Sequence, residues 1–211
     1  MSDTTLLVLA KSPRPGRVKT RLSPALTPVQ AAALALACLR DSLDAVVATP
    51  ARRRVLVLDG PAGPWVPAGI EVRSQARGSL DQRIAAALGL AEGPALLIGM
   101  DTPQVSPALL DVDWSAVSAA LGLAEDGGFW ALGLREPGPS LVAAVTLGVP
   151  MSTAATGREQ YRRLLAAGLS VAQLPVLRDV DRPADGEVVA ALVPGSRFAR
   201  CWSQLITGAP V

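Results

Sequence analysis

Lys11, Arg14, Arg17, Lys19 and Arg21 crowd the segment AKSPRPGRVKTRL, residues 10–22, with no acidic side chain among them. Cations at this density suit an anion. A glycine (Gly16) lets backbone N–H groups approach an oxygen, and the side chains neutralise phosphate charge. The spacing is neither the G-x-x-x-x-G-K-[ST] of a P-loop nor the G-x-G-x-x-G of a dinucleotide fold. By composition alone the segment reads equally well as a solvated basic loop.

Three further segments carry carboxylates in places that matter. GMDTPQ, residues 99–104, closes an apolar run with Asp101, and a lone carboxylate there suits Mg²⁺ or Mn²⁺, which take oxygen ligands. LRDVDRP, residues 177–183, alternates Asp179 and Asp181 at an expected strand end, so period-two spacing turns both to one side. Either could complete a metal site begun by Asp101. AEDGGFWALGL, residues 124–134, sets Glu125 and Asp126 before two glycines, where a ligand can come close and a carboxylate can orient a hydroxyl. Taken singly, the three also read as a turn before proline, a pair of solvated acids and an Asp-Gly hairpin turn.

The rest of the composition narrows the chemistry. There is no histidine, so an acid–base step must use Asp, Glu, Lys, Tyr or the substrate itself. Two cysteines, Cys38 and Cys201, give too few soft ligands for zinc and signal no disulfide framework. Twenty basic and 18 acidic residues leave a net charge of +2, which points to neither nucleic acid nor a membrane surface. Aromatics at 3% argue against a base-stacking platform. No targeting segment is visible and no apolar run reaches spanning length, so a cytoplasmic protein is expected.

These residues need elements to hold them. Residues 4–10 (TTLLVLA), 53–58 (RRVLVL), 70–74 and 95–99 (ALLIG) read as strands, the first and last of them buried on both faces. Residues 28–48 are Ala/Leu-rich and helical, and Ser79 can cap a helix running to about residue 91. Ser106 starts a short helix, and an apolar segment at 117–124 is followed by a return strand at 129–134. Helices are expected at 152–167, after Pro183 and from Ser196, with a strand at 170–174. Alternation of this kind means a mostly parallel sheet covered on both sides, with ligands at the carboxyl ends of the strands.

In order and wording the four motifs resemble an uncharacterised bacterial family of the nucleotide-diphospho-sugar transferase superfamily, labelled as glycosyltransferases of the type A fold. The resemblance runs from residue 6 to about 185. It rests on Lys11, Pro13, Pro15, Gly16 and the run Val18, Lys19, Thr20, Arg21, Leu22. It continues through Gly99, Asp101, Pro103, Asp126, Gly127, Gly128, Pro150, Ser152, Thr153, Asp179, Asp181 and Pro183. Phe129 stands where the family pattern has Tyr, Met151 where it has Trp, Arg182 where it has Thr, and Ala184 where it has Glu. These departures fall mainly on the expected acceptor side.

No internal repeat, low-complexity tract or linker divides the chain, so one domain over residues 1–211 is expected, and the resemblance implies a three-layer α/β/α fold with a mostly parallel mixed sheet. A nucleotide would lie over its first half. Lys11, Arg14, Gly16, Lys19, Thr20 and Arg21, with Gln75 after the third strand, are the expected nucleotide-binding residues. Asp101 and Asp181 would hold Mg²⁺ or Mn²⁺, with Asp179 a supporting residue or a substitute. Lys19 and Arg21 would steady the leaving phosphate, and Asp126 would act at the acceptor. The expected reaction is transfer of a sugar from a nucleotide sugar to a small-molecule acceptor. The alternative is nucleotidyl transfer from a nucleoside triphosphate, because the K-T-R-L element also resembles the loop of phospholactate guanylyltransferases. A non-catalytic nucleotide-binding module is disfavoured, since both acidic motifs are intact.

Overall fold

A computed structural model describes residues 3–207. Its strands are β1 (Thr5–Lys11), β2 (Arg53–Asp59), β3 (Glu71–Ser74), β4 (Ala95–Ile98), β5 (Ala119–Ala124), β6 (Phe129–Leu134) and β7 (Val171–Leu177). They form a seven-stranded sheet in the order β3-β2-β1-β4-β6-β5-β7. β1 sits inside it, with Val8 beside Leu56 of β2 and Ile98 of β4, both parallel. β6 runs antiparallel to its neighbours β4 and β5, and β7 returns parallel to β5. A parallel half therefore adjoins a mixed half: the alternation of elements predicts the mostly parallel sheet, and the family resemblance implies its mixed character.

Alternate residues of each inner strand feed opposite cores. Leu6, Val8, Leu56, Leu58, Leu96 and Ile98 face α1 (Pro28–Ala48) and the short α3 (Pro107–Leu110). Leu7, Val55, Val57 and Leu97 face α2 (Leu80–Leu88), α4 (Pro139–Thr146) and α5 (Thr156–Ala166). Each fully buried Leu or Val contributes about 1.5–3 kcal/mol through loss of apolar contact with water.

α1 starts where the sequence says it should. Thr27 accepts from the Gln30 amide, the Gln30 side chain accepts from the Thr27 amide, and Pro28 occupies the first turn. One face of α1 covers the sheet. The other, with Leu34 and Cys38, meets α6 (Pro183–Leu192) and α7 (Arg197–Thr207). α7 turns Phe198, Cys201, Trp202 and Leu205 inward, the i, i+3, i+4, i+7 stripe of a helix with one buried face.

Several boundaries differ from expectation. α4 is signalled only by Pro139 in its first turn, because residues 139–146 are a short, almost wholly apolar stretch with no polar face to mark a period. α2 stops at Leu88 and does not reach residue 91. α5 begins at Thr156, not residue 152, because Ser152 takes a left-handed φ of 60° and Thr156 donates its hydroxyl to the Pro150 carbonyl at 2.6 Å. β7 runs on to Leu177 but ends before the acidic pair. Asp179 and Asp181 therefore lie in a loop, and period-two alternation does not govern where they point.

Candidate functional site

The carboxyl ends of β1, β4, β5 and β7 open onto a cleft of about 950 Å³. Open α/β sheets place ligands at that edge. The end of β1 brings Lys11, and the loop after it Arg17, Lys19, Thr20 and Arg21, to the cleft wall. The loop after β4 brings Asp101, the β5–β6 hairpin brings Glu125 and Asp126, and the loop after β7 brings Arg178, Asp179 and Asp181. Arg14 and Gly16 are exposed on the outer part of the basic loop, away from the cleft wall.

The two acidic loops are stitched together. The Val180 N–H donates to the Asp101 carbonyl at 3.0 Å. Lys19 completes the joint: its Nζ lies 2.5 Å from Asp101 Oδ1 and also donates to the Val180 carbonyl. Its side chain is only 3% exposed, and its backbone is left-handed at φ 50°. Burial pulls the ammonium's pKa down, but the charge of Asp101, with a smaller share from Asp181, overrides burial and holds it above the usual lysine range. Arg21 pairs with Asp181 at 2.7 Å, with 67% of its side chain exposed. The sequence marks Lys19 and Arg21 as phosphate ligands, and in this structure each neutralises a carboxylate.

Two neighbouring cations are free of such pairing. Lys11 and Arg17 have no ion-pair partner among the described residues and face the cleft. Arg17 belongs to the basic cluster, yet nothing in sequence separates it from its paired neighbours. Gln75 holds the scaffold. Its Nε2 donates to the carbonyls of Ala10 (2.7 Å) and Val57 (3.1 Å), and its Oε1 accepts from Arg83 (3.0 Å). Arg83 carries no acidic partner among the described residues and also lines the cleft; the sequence reading missed it.

The hairpin is held by close backbone contact. A Cβ on Gly122 would lie 2.4 Å from the Trp130 ring, and one on Gly127 would lie 2.3 Å from the Ala154 carbonyl. Gly127 is also left-handed, at φ 90°. Asp126 Oδ1 accepts from the Gly128 N–H at 2.8 Å. Glu125 pairs with Arg178, which Asp185 also reaches at 3.4 Å, so Arg178 is spoken for. Asp179 sits behind these groups. Burial, and then the charges of Asp101 and Asp126, push its carboxyl up to about 7.

Four aspartates thus converge, Asp101, Asp126, Asp179 and Asp181. No three of the His, Cys, Asp and Glu groups among the described residues form a ready metal cage. Magnesium and manganese do not require one when substrate phosphates and waters supply the remaining oxygens. Asp101 and Asp181 both line the cleft and offer oxygen donors, the ligand type such ions take.

Comparison with known proteins places this arrangement. The family model described as "Uncharacterized protein conserved in bacteria (DUF2064)" matches residues 33–153. A solved structure from Desulfovibrio desulfuricans G20, named a "putative nucleotide-diphospho-sugar transferase", is 25% identical with a TM-score of 0.85. That match covers 99% of this chain and 95% of the other. The synthetase for CMP:2-keto-3-deoxy-manno-octonic acid, solved with CTP, shares the fold at 14% identity and a TM-score of 0.55. It covers 90% of this chain and 98% of its own. The 2-C-methyl-D-erythritol 4-phosphate cytidylyltransferase of Thermus thermophilus does so at 18% and 0.50, covering 91% and 98%. No functionally curated protein matches the sequence. The fold is that of the nucleotide-diphospho-sugar transferases, as the motifs implied.

Proposed function

The chain belongs to the bacterial family DUF2064, and from that premise we propose that it is a metal-dependent glycosyltransferase that moves a sugar from a nucleotide sugar to a small-molecule acceptor. One observation carries the reading. Asp126, on the hairpin, lines the same cleft as Asp101, Asp179 and Asp181 and has no ion-pair partner among the described residues, so a carboxylate free to act on an acceptor shares the cleft with the strand-end acids. A group-transfer site of this type needs that pairing of acids for the phosphate side and an acid for the acceptor side.

Lys11 and Arg17 hold the diphosphate oxygens through charge-assisted hydrogen bonds. Asp101 and Asp181 hold Mg²⁺ or Mn²⁺, which when bound supplies positive charge where the leaving diphosphate gains negative charge. Asp126 uses one oxygen to fix itself on the Gly128 N–H. Its other oxygen accepts the proton of the acceptor hydroxyl as that oxygen bonds to the anomeric carbon. The bond from that carbon to the phosphate oxygen breaks, and the nucleoside diphosphate leaves with the electron pair.

Nucleotidyl transfer is the second reading, favoured by Arg182, a further cation lining the cleft that has no acidic ion-pair partner among the described residues. An arginine there suits a phosphorylated nucleophile, which is already ionised and needs no base. The test incubates the protein and Mn²⁺ with nucleotide sugars or nucleoside triphosphates and a cell extract supplying acceptors. Nucleoside diphosphate release, lost in Asp126→Asn, supports sugar transfer. Pyrophosphate release that persists in Asp126→Asn overturns it.

A further inference from the structure

Lys19 and Arg21 occupy the two carboxylates on which the metal site of the preceding section depends. Asp101 Oδ1 is held by a nearly buried ammonium at 2.5 Å, and Asp181 Oδ2 by a guanidinium at 2.7 Å. Both cations come from one short segment, a 3₁₀ turn (Thr20–Leu22) with Lys19 as its left-handed N-cap. A non-glycine residue in that conformation is strained, and the surrounding contacts must hold it there. Those contacts are the Asp101 carboxylate and the Val180 carbonyl. The basic loop and the acidic loops therefore serve as each other's counterions.

We propose that Lys19 and Arg21 form an ion-pair latch over the metal site, opened only when a divalent cation and a polyphosphate enter together. This rests on the proposed nucleotide site. A divalent ion arriving alone must displace Lys19 from Asp101 and leave a buried ammonium without a counterion, which is strongly unfavourable. A polyphosphate arriving alone meets Lys11 and Arg17 first, and engaging Lys19 and Arg21 as well would leave Asp101, Asp179 and Asp181 facing one another uncompensated. When both arrive, every charge is exchanged for another of the same sign: the metal takes the carboxylates, and the cations take the phosphate oxygens. Lys19 and Arg21 are thus positioning residues for the metal as well as ligands for the phosphate. The protein discriminates against free metal and against metal-free nucleotide, because each tightens the other by the same factor.

The experiment is calorimetric titration of the whole chain with Mn²⁺ alone, for the wild type, Lys19→Met and Arg21→Gln. Methionine keeps the volume of the buried lysine stem, and Arg21 is exposed, so the second variant keeps its fold if the first does not. Removing either latch cation should tighten binding of Mn²⁺ alone by about ten-fold or more, the scale of one charge-assisted contact. It should also reduce the factor by which Mn²⁺ improves binding of a nucleoside diphosphate. Mn²⁺ affinity that is unchanged or weaker in folded variants overturns the latch. This outcome is read without nucleotide. A wild type that binds Mn²⁺ by the latch rule but takes no nucleotide at all would instead sink the functional reading of the previous section.

Discussion

At the scale of single residues, pairing divides the basic cluster, and pairing is where sequence reading stops. All five cations of residues 11–21 are visible in sequence as a patch. Lys11 and Arg17 have no ion-pair partner among the described residues, while Lys19 and Arg21 are tied to acids about 80 and 160 positions further along the chain. Such partners are a property of the folded loops, so no local signal could sort the cluster. Asp179 shows the same limit. Sequence marks it as an acid near a strand end, but burial and two facing carboxylates carry it from its ordinary 3.8 to about 7. The sign of the consequence follows. The folded chain holds this proton more tightly than the unfolded chain, so the stability it contributes is full below about pH 4 and is lost as pH rises through about 7. With chelator present, Asp179→Asn should raise Tm at about pH 8 relative to the wild type and shift it far less near pH 4. Melting curves at the two values decide it, and an equal shift at both would show that the carboxyl ionises freely in the fold.

At the scale of elements, legibility follows the strength of local signals. α1 is readable because its cap, its N-terminal proline and its small-residue face all agree. α4 is not, because its mixed Ala, Val, Leu and Thr carry no clear period. The start of α5 falls later than its sequence suggests because Ser152 takes a left-handed φ and the Thr156 hydroxyl bonds back to the Pro150 carbonyl, neither of which residue type announces. α7 is only weakly signalled, and the structure shows what holds it. Asp41, on α1, accepts the N–H groups of Arg197 (3.1 Å) and Phe198 (2.8 Å), two of the donors a helix start leaves unpaired. Its side chain is 10% exposed, so these donors have little access to water once it is removed. Asp41→Ala should cost about 1–2 kcal/mol, the range for losing a side-chain cap. Urea denaturation measures this directly, and a midpoint equal to that of the wild type would mean that α7 is held by its apolar stripe alone.

At the scale of the whole molecule, the alternation of strands and helices foretells a covered, mostly parallel sheet, but not the strand order. Nothing in the sequence says that β6 enters between β4 and β5, since pairing across a sheet depends on which edges meet. That insertion has a functional consequence. The parallel half, through the end of β1 and the loop after it, supplies Lys11 and Arg17; the mixed half, through the β5–β6 hairpin and the loop after β7, supplies Asp126, Asp179 and Asp181. β4, at the seam, supplies Asp101. On the proposed reading the parallel half grips the nucleotide and the mixed half acts on the group being moved, so damage to each half should be separable. Lys11→Ala should weaken nucleoside diphosphate binding by roughly ten-fold or more, the loss of one charge-assisted contact. Asp126→Asn should leave that affinity within about two-fold (~0.4 kcal/mol) and remove transfer. Isothermal titration with nucleoside diphosphate and Mn²⁺, paired with a product assay on the same preparations, reads both quantities. If Asp126→Asn weakens nucleotide binding as much as Lys11→Ala does, the hairpin belongs to the nucleotide grip, and the division of labour between the two halves of the sheet is wrong.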